Sequence, residues 1–261
     1  MRPLGVIGPL SRDVVAGGPP RIGGGPWHAA RALRALRQSA VIVGKCGDAE
    51  RGRYRVQLAA LGLPAAVAAG GVTTAFSLDY GRRGERAMRV DAIGEPWRVD
   101  DLPETVLRRV RWLQVSPLLR GDFDADLLER LARGRRILLD AQGLVRARQT
   151  GPLVLDGRFD TALLRHVHVL KLAEEEAEAI GDLGALDVPE IVVTTGPDGC
   201  RIVTRDGETH VPAQPVKGDP TGAGDAFAVA YMGARAEGHA PVSAARRATA
   251  LVAALMAGRA R

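Results

Sequence analysis

Residues 219 to 225 read Asp219-Pro220-Thr221-Gly222-Ala223-Gly224-Asp225, and a small-residue helical pattern, Ala226 to Glu237, follows at once. Gly222 and Gly224 leave the backbone bare, so successive N–H groups can turn inward, and the helix start behind them adds the positive end of its dipole. Together these make a cradle for a multiply charged anion such as a transferring phosphoryl group. The Asp225 carboxylate stands at the mouth of that cradle, at or near the first helical position. An ordinary N-terminal cap also places a carboxylate there. Two glycines flanking Ala223, a turn-forming Asp-Pro-Thr before them and an apolar helix behind them argue against a cap alone. Amide donors for a phosphate, beside a base for a hydroxyl, are what phosphoryl transfer to an alcohol requires, because that chemistry is mostly positioning and charge stabilisation.

Outward from this segment, strand-like apolar runs alternate with helix-like segments along the whole chain. That alternation predicts a three-layered α/β/α fold with a mostly parallel central sheet. Strands are expected at Leu4–Ile7, Val41–Gly44, Trp112–Val115, Ile137–Asp140, His168–Leu172 and Ile191–Thr195, with a hairpin pair at Gly199–Thr204 and Glu208–Val211. Helices are expected at Ala29–Arg37, about Ala49–Leu61, Asp124–Arg133, Glu174–Ile180 and Val242–Met256. Asp13–Ile22 is short, polar and Gly/Pro-rich, and Thr73–Tyr80 and Ala87–Ile93 alternate like a hairpin around Gly81-Arg82-Arg83-Gly84. These two stretches are too exposed in pattern for central strands; an ordinary surface hairpin is the plainer alternative to a functional one.

The 261 residues are read as one domain, 1–261, with hydrophobic content of 46% and aromatic content of 4%, which suits an Ala- and Gly-rich globular enzyme. No apolar run approaches the roughly 20 residues that span a bilayer. The N-terminus shows no signal peptide, so no membrane role and a cytoplasmic address are expected. Cys46 and Cys200 stand far apart, and His166 and His168 lack a third ligand, so all four are read as structural. The formal charge of +6 is carried by scattered arginines without aromatic interleaving, and no nucleic acid partner is expected. No Gly-x-x-x-x-Gly-Lys-[Ser/Thr] occurs, which argues against a P-loop and leaves phosphate binding to the C-terminal cradle.

Gly218-Asp-Pro-Thr-Gly-Ala-Gly-Asp-Ala-Phe227 resembles the C-terminal signature of the ribokinase-like, or PfkB-type, carbohydrate kinases, with Pro220 the departure from the pattern. The resemblance implies a ribokinase-like fold with a small β lid formed by about 12–22 and 73–95, whose closure would exclude water. It implies that Asp225 is the base for the acceptor hydroxyl and that the amides of Gly222, Ala223 and Gly224 form the anion hole. It also implies a monovalent-cation site, potassium in character, near Asp219. Gly23-Gly24-Gly25-Pro26-Trp27-His28-Ala29-Ala30 resembles the family's first signature, with His28 where asparagine is usual and features of an inositol-kinase-like branch. Asp13, Gly24, Gly25 and His28 are thereby assigned to the acceptor, Trp27 to an apolar wall, and Arg89 to a contact from the lid.

On the donor side, Lys171-Leu-Ala-Glu-Glu-Glu176 resembles the family's Asn-x-x-Glu, with Ala173 in place of the asparagine. The resemblance assigns Glu176 to magnesium through water, whereas acidic residues in a first helical turn also serve simply to favour the dipole. Thr194-Thr195-Gly196-Pro-Asp-Gly199 resembles the turn beside the nucleotide, which with Lys171 gives the nucleotide-binding set Lys171, Thr195, Gly196 and Gly199. Asp140-Ala-Gln-Gly143 with Arg146 also recurs in the inositol-like branch. The function implied is ATP- and magnesium-dependent phosphorylation of a sugar or polyol hydroxyl by a homodimer. A nucleoside kinase and a non-catalytic ligand sensor on the same fold are the alternatives.

Overall fold

The structure is a computed structural model that describes residues 2–80, 86–214, 216 and 221–259. In chain order its elements begin β1 (Leu4–Pro9), β2 (Ser11–Val15), β3 (Arg21–Gly23), α1 (Gly25–Ala35), β4 (Ala40–Gly47), α2 (Asp48–Ala59), β5 (Ala65–Gly70), β6 (Thr74–Tyr80) and β7 (Arg86–Ala92). They continue α3 (Glu104–Leu107), β8 (Trp112–Val115), α4 (Ala125–Ala132), β9 (Arg136–Asp140), α5 (Gln142–Val145), β10 (Gly151–Pro152), β11 (Val167–Ala173) and α6 (Glu174–Ile180). The chain closes with β12 (Glu190–Thr194), β13 (Cys200–Thr204), β14 (Gly207–Val211), α7 (Ala223–Ala236) and α8 (Pro241–Arg259).

Nine strands form one sheet in the order β14-β13-β12-β11-β9-β8-β1-β4-β5. The seven from β12 to β5 pair in parallel, and β13 and β14 add an antiparallel edge. Each parallel strand alternates between two apolar cores, as a sheet covered on both faces demands. Val6, Ile42, Val169 and Val192 face the layer of α1, α2, α7 and α8. Ile7, Val43, Leu170 and Val193 face the layer that carries α4 and α6.

The second sheet, β10-β7-β6-β2-β3, is small and shields Phe76, Leu78 and Val90 against Leu118 and Leu119. β2, β3, β6 and β7 overlap the two stretches set apart in the sequence, whereas β10 comes from outside them. The turn at Gly81–Gly84 lies outside the described residues. Arg148 joins this sheet to the main body: it donates to Asp122 Oδ1 at 2.7 Å and to the carbonyl of Gly94, and Asp122 Oδ2 accepts from the amides of Leu118 and Leu119.

Boundaries shift where local chemistry decides them. The helix expected from Ala29 begins at Gly25, because Pro26 fits a first helical turn and Gly24, at φ 89°, turns the chain into it. Asp124 caps α4 by accepting from Leu127 N at 2.8 Å. The strand β5 (Ala-Ala-Val-Ala-Ala-Gly) shows too little hydrophobic contrast to be read from sequence. Both cysteines are buried and free. Among the described residues, no helix is long and apolar enough to cross a membrane.

Candidate active site

Because seven strands run parallel, their carboxyl ends share one edge, and the chemistry-bearing residues collect there. Asp13 lies on β2 just past β1, Ser116 follows β8, Asp140 ends β9, and Ala173 ends β11. Thr195 follows β12. Helix α7 starts at the same edge, and its orientation is held from the far end: Tyr231 Oη and the Arg235 guanidinium both donate to the carboxylate of Glu190 on β12.

Asp225 is the third residue of α7 rather than the first, since the helix already opens at Ala223. Gly222 precedes it in the left-handed region at φ 76°, a conformation that glycine adopts without strain. The first helical bond runs from Ala226 N to Gly222 O, 2.9 Å. The amides of Ala223, Gly224 and Asp225 precede it and therefore have no intrahelical acceptor. Of the three residues expected to supply amides to an anion, Ala223 and Gly224 lie in the first turn of α7 and Gly222 forms the turn before it.

The N-terminal glycines meet this helix start. A β-carbon on Gly25 would lie 3.2 Å from Asp225 Oδ1 and 2.4 Å from Ser116 Cβ. One on Gly222 would lie 2.6 Å from His28 Nδ1, and one on Gly23 would lie 1.9 Å from Asp13 Oδ2. Gly24 approaches the carbonyl of Pro9, where a β-carbon would come within 2.5 Å. Bare backbone at 23–25 and 222 therefore lets Asp13, Ser116, His28 and Asp225 each pack directly against these glycines. Ser116 escaped the sequence reading. Its one signal is a small polar residue directly after an apolar strand, and its Oγ accepts from Gln114 Nε2 at 2.7 Å.

Charged groups crowd the other side. Lys171 and Asp140 are buried and lie 3.2 Å apart, and the Lys171 Nζ is 3.2 Å from where a β-carbon on Gly224 would stand. Glu176 is the one glutamate of its trio that turns inward. Its Oε2 accepts from Ala173 N at 2.8 Å and its Oε1 faces Arg146 at 3.7 Å. Burial pushes the Asp225 carboxyl up to about 7, with the Asp140 charge adding to the rise and Lys171 and Arg146 opposing it. Burial works against the Lys171 ammonium, but the carboxylates of Asp140, Glu176 and Asp225 outweigh it and hold the proton more tightly than usual. Burial likewise raises Glu176, against the pull of Lys171. A carboxyl poised near neutrality beside free amides and a buried ammonium can accept a hydroxyl proton while an anion sits in place.

Of the expected donor residues, Thr195 Oγ1 is buried without a hydrogen-bond partner among the described residues, as is Arg146 Nε. Gly196 takes φ 59° in open space. Gly199, at φ 105°, is required by packing, since a β-carbon would meet Val211 O at 2.1 Å. Arg89 is exposed and paired with Asp91 at 3.5 Å. Asp219, with its expected cation site, lies outside the described residues. No group of three or more His, Cys, Asp or Glu suited to a metal occurs among the described residues.

The chain matches the family model described as pfkB family carbohydrate kinase over residues 20–260. Inositol 3-kinase of Zea mays is 37% identical over 117 residues, covering 42% of this chain and 31% of that protein. Inositol 3-kinase of Oryza sativa subsp. japonica is 38% identical over 121 residues, covering 42% and 30%. The chain thus spans less than a third of the length of these curated relatives in the matched region. A solved pyrophosphate-dependent kinase in the ribokinase family, complexed with a pyrophosphate analog and myo-inositol, shares the fold with a TM-score of 0.81. It is 21% identical, with 97% of this chain and 94% of that one covered. Matched across nearly its whole length, the chain belongs to the pfkB family of carbohydrate kinases.

Proposed function

We propose that this chain phosphorylates a hydroxyl of a cyclitol or similar compact polyol, with ATP as donor. The observation that carries the reading is the meeting of Asp225 with the free amides at the start of α7 and with the N-terminal glycine run. Asp13, Ser116 and His28 would orient the acceptor, whose hydroxyl gives its proton to Asp225 as its oxygen attacks the terminal phosphorus and the bond from that phosphorus to the bridging oxygen breaks, releasing ADP. The amides of Ala223, Gly224 and Asp225, with Lys171, would stabilise the charge on the transferring group. The similarity to plant inositol 3-kinases supports a polyol over a nucleoside. The second sheet, with Asp13 on it, would act as the lid.

The carboxylates present suit magnesium only in an outer shell, because Asp140 is held by Lys171 and Glu176 by Arg146 and an amide. Glu176 would reach the ion through water, and the ion, arriving with the donor phosphates, would neutralise their charge. Pyrophosphate is the second reading for the donor. It is favoured by the buried Lys171 and the partly buried Arg146 near the cradle, and by the likeness to a pyrophosphate-dependent kinase.

A matrix of acceptors (cyclitols, hexoses, pentoses, nucleosides) against ATP and pyrophosphate, read by phosphorus NMR, tests both parts. A cyclitol giving the highest kcat/KM supports the acceptor reading, and a nucleoside doing so overturns it. The donor with the higher kcat/KM decides between ATP and pyrophosphate. No transfer with any pair would favour the ligand-sensor alternative.

A further inference from the structure

At the opposite edge of the main sheet lies a cleft of about 630 Å³ that the proposed chemistry does not use. Its origin is topological. Parallel strands β8, β9 and β11 all start at this edge, and an arginine stands at or just before each start: Arg111, Arg136 and Arg165. Strand β13 runs antiparallel to β12, with Thr204 paired to Glu190, so Arg205 arrives at the same edge from the other direction. Arg135 completes the set. Arginines spread in sequence from Arg111 to Arg205 are thereby gathered around one concavity, away from the carboxyl-end edge that carries Asp140 and Asp225.

The lining holds five arginines and one carboxylate, Asp187, which is exposed and faces Arg205 at 3.8 Å. Outside the lining, Glu104 lies 3.8 Å from Arg135. Arg135 is largely buried; its terminal nitrogens donate to the carbonyls of Leu131 and Leu107, and its Nε lacks a hydrogen-bond partner among the described residues. Arg136 stacks on Trp112, its guanidinium carbon 5.5 Å from the ring centroid, which holds a planar fork at the wall of the cleft. Burial, and after it the charge of Arg136, lower the proton affinity of His168, which also lines the cleft. Guanidinium forks at several angles match the oxygens of phosphate groups better than those of a single carboxylate. A cleft of this size suits a small molecule, whereas a nucleic acid would need a track running past its rim.

We propose that this cleft is a second anion site, distinct from the donor cradle, for a small metabolite bearing two or more phosphate groups. The site lies about 13 Å from the catalytic edge, the span of the four residue steps along β9 from Arg136 to Asp140.

Hydrogen exchange of the full chain with inorganic tripolyphosphate should protect amides around 111–112, 134–137 and 165–168 in addition to those at the start of α7. Arg111, Arg136, Arg165 and Arg205 are exposed, so their replacement leaves the core intact. Arg165→Gln/Arg205→Gln and Arg111→Gln/Arg136→Gln should each weaken that second protection at least tenfold, with kcat unchanged. Protection confined to the catalytic edge would overturn the proposal, as would second-edge protection that neither double variant weakens. A single-stranded oligonucleotide displacing tripolyphosphate at equal phosphate concentration, and failing to bind either double variant, would assign the cleft to nucleic acid instead.

Discussion

The Asp225 carboxylate lies against Gly25, its Oδ1 3.2 Å from the position a β-carbon on that glycine would take, although the two residues come from opposite ends of the chain. Helix α1 and helix α7 pack directly on each other, so the base proposed for the acceptor and the glycine run proposed to hold it are set by one helix–helix contact. The same point is 2.4 Å from Ser116 Cβ, which leaves no room for even a methyl group.

Gly25→Ala should therefore push Ser116 and Asp225 apart and lower kcat/KM at least a hundredfold. The accompanying loss of stability should be modest, about 1–3 kcal/mol, as for overpacking elsewhere. Steady-state kinetics and urea denaturation on the same preparation check both parts. Activity within threefold of the parent would mean that Asp225 and Gly25 do not bound a shared acceptor site.

Asp225→Asn should lower kcat by roughly 10²–10⁴. In the parent protein, kcat/KM for the acceptor should fall tenfold per pH unit below about 7, where the carboxyl becomes protonated. Stability should move the other way. A carboxyl whose folded pKa is raised binds its proton more tightly when folded, so its ionisation opposes folding as pH rises from the unfolded value near 4 through about 7. Asp225→Asn should thus be the more stable protein at pH 8, with the gap closing below pH 4. A flat rate profile from pH 5.5 to 8 contradicts the base assignment.

The alternating apolar runs made the main sheet legible, because strands buried on both faces leave a continuous hydrophobic record. The run 65–70 left none, since alanines carry little contrast, and β5 emerges only from its pairing with β4. The glycine signatures revealed the Asp225 side of the site because bare backbone is a local requirement. Ser116 was invisible for the opposite reason: one serine after a strand says nothing until Gly25 is seen against it. The basic cleft could not be read at all. The register of parallel strands, not spacing in sequence, brings Arg111, Arg136, Arg165 and Arg205 to one edge.

Lys171→Met tests how the buried cluster works. Lys171 helps hold the Asp225 carboxyl down, so its loss should shift the acid limb of the rate profile upward in pH. It also removes the ammonium nearest Gly224, and the KM for the donor should rise at least tenfold while that for the acceptor changes little. Asp140 would be left buried without its cation, so some loss of stability is expected as well. An unmoved acid limb together with an unchanged donor KM would confine Lys171 to a structural role.

Arg235 supports the site from a distance. Its guanidinium donates to both oxygens of Glu190, at 3.1 Å each from Nε, while Tyr231 Oη donates to the same carboxylate. Glu190 sits at the start of β12 and is buried, so the pair ties helix α7 to the sheet. Arg235→Leu leaves the carboxylate with the tyrosine hydroxyl alone, and breaking a largely buried pair in this way costs about 2–4 kcal/mol. Because Asp225 rides on the same helix, kcat should fall with the loosened anchor, whereas the acid limb of the rate profile should stay in place. Arg235→Lys keeps a charge but loses the two-oxygen fork, and it should fall between the parent and Arg235→Leu. Adding Glu190→Gln to Arg235→Leu removes the stranded charge and should recover at least 1 kcal/mol of the loss. Urea denaturation of the three variants measures the series, and a double variant no more stable than Arg235→Leu would show that the buried carboxylate is not what the arginine compensates.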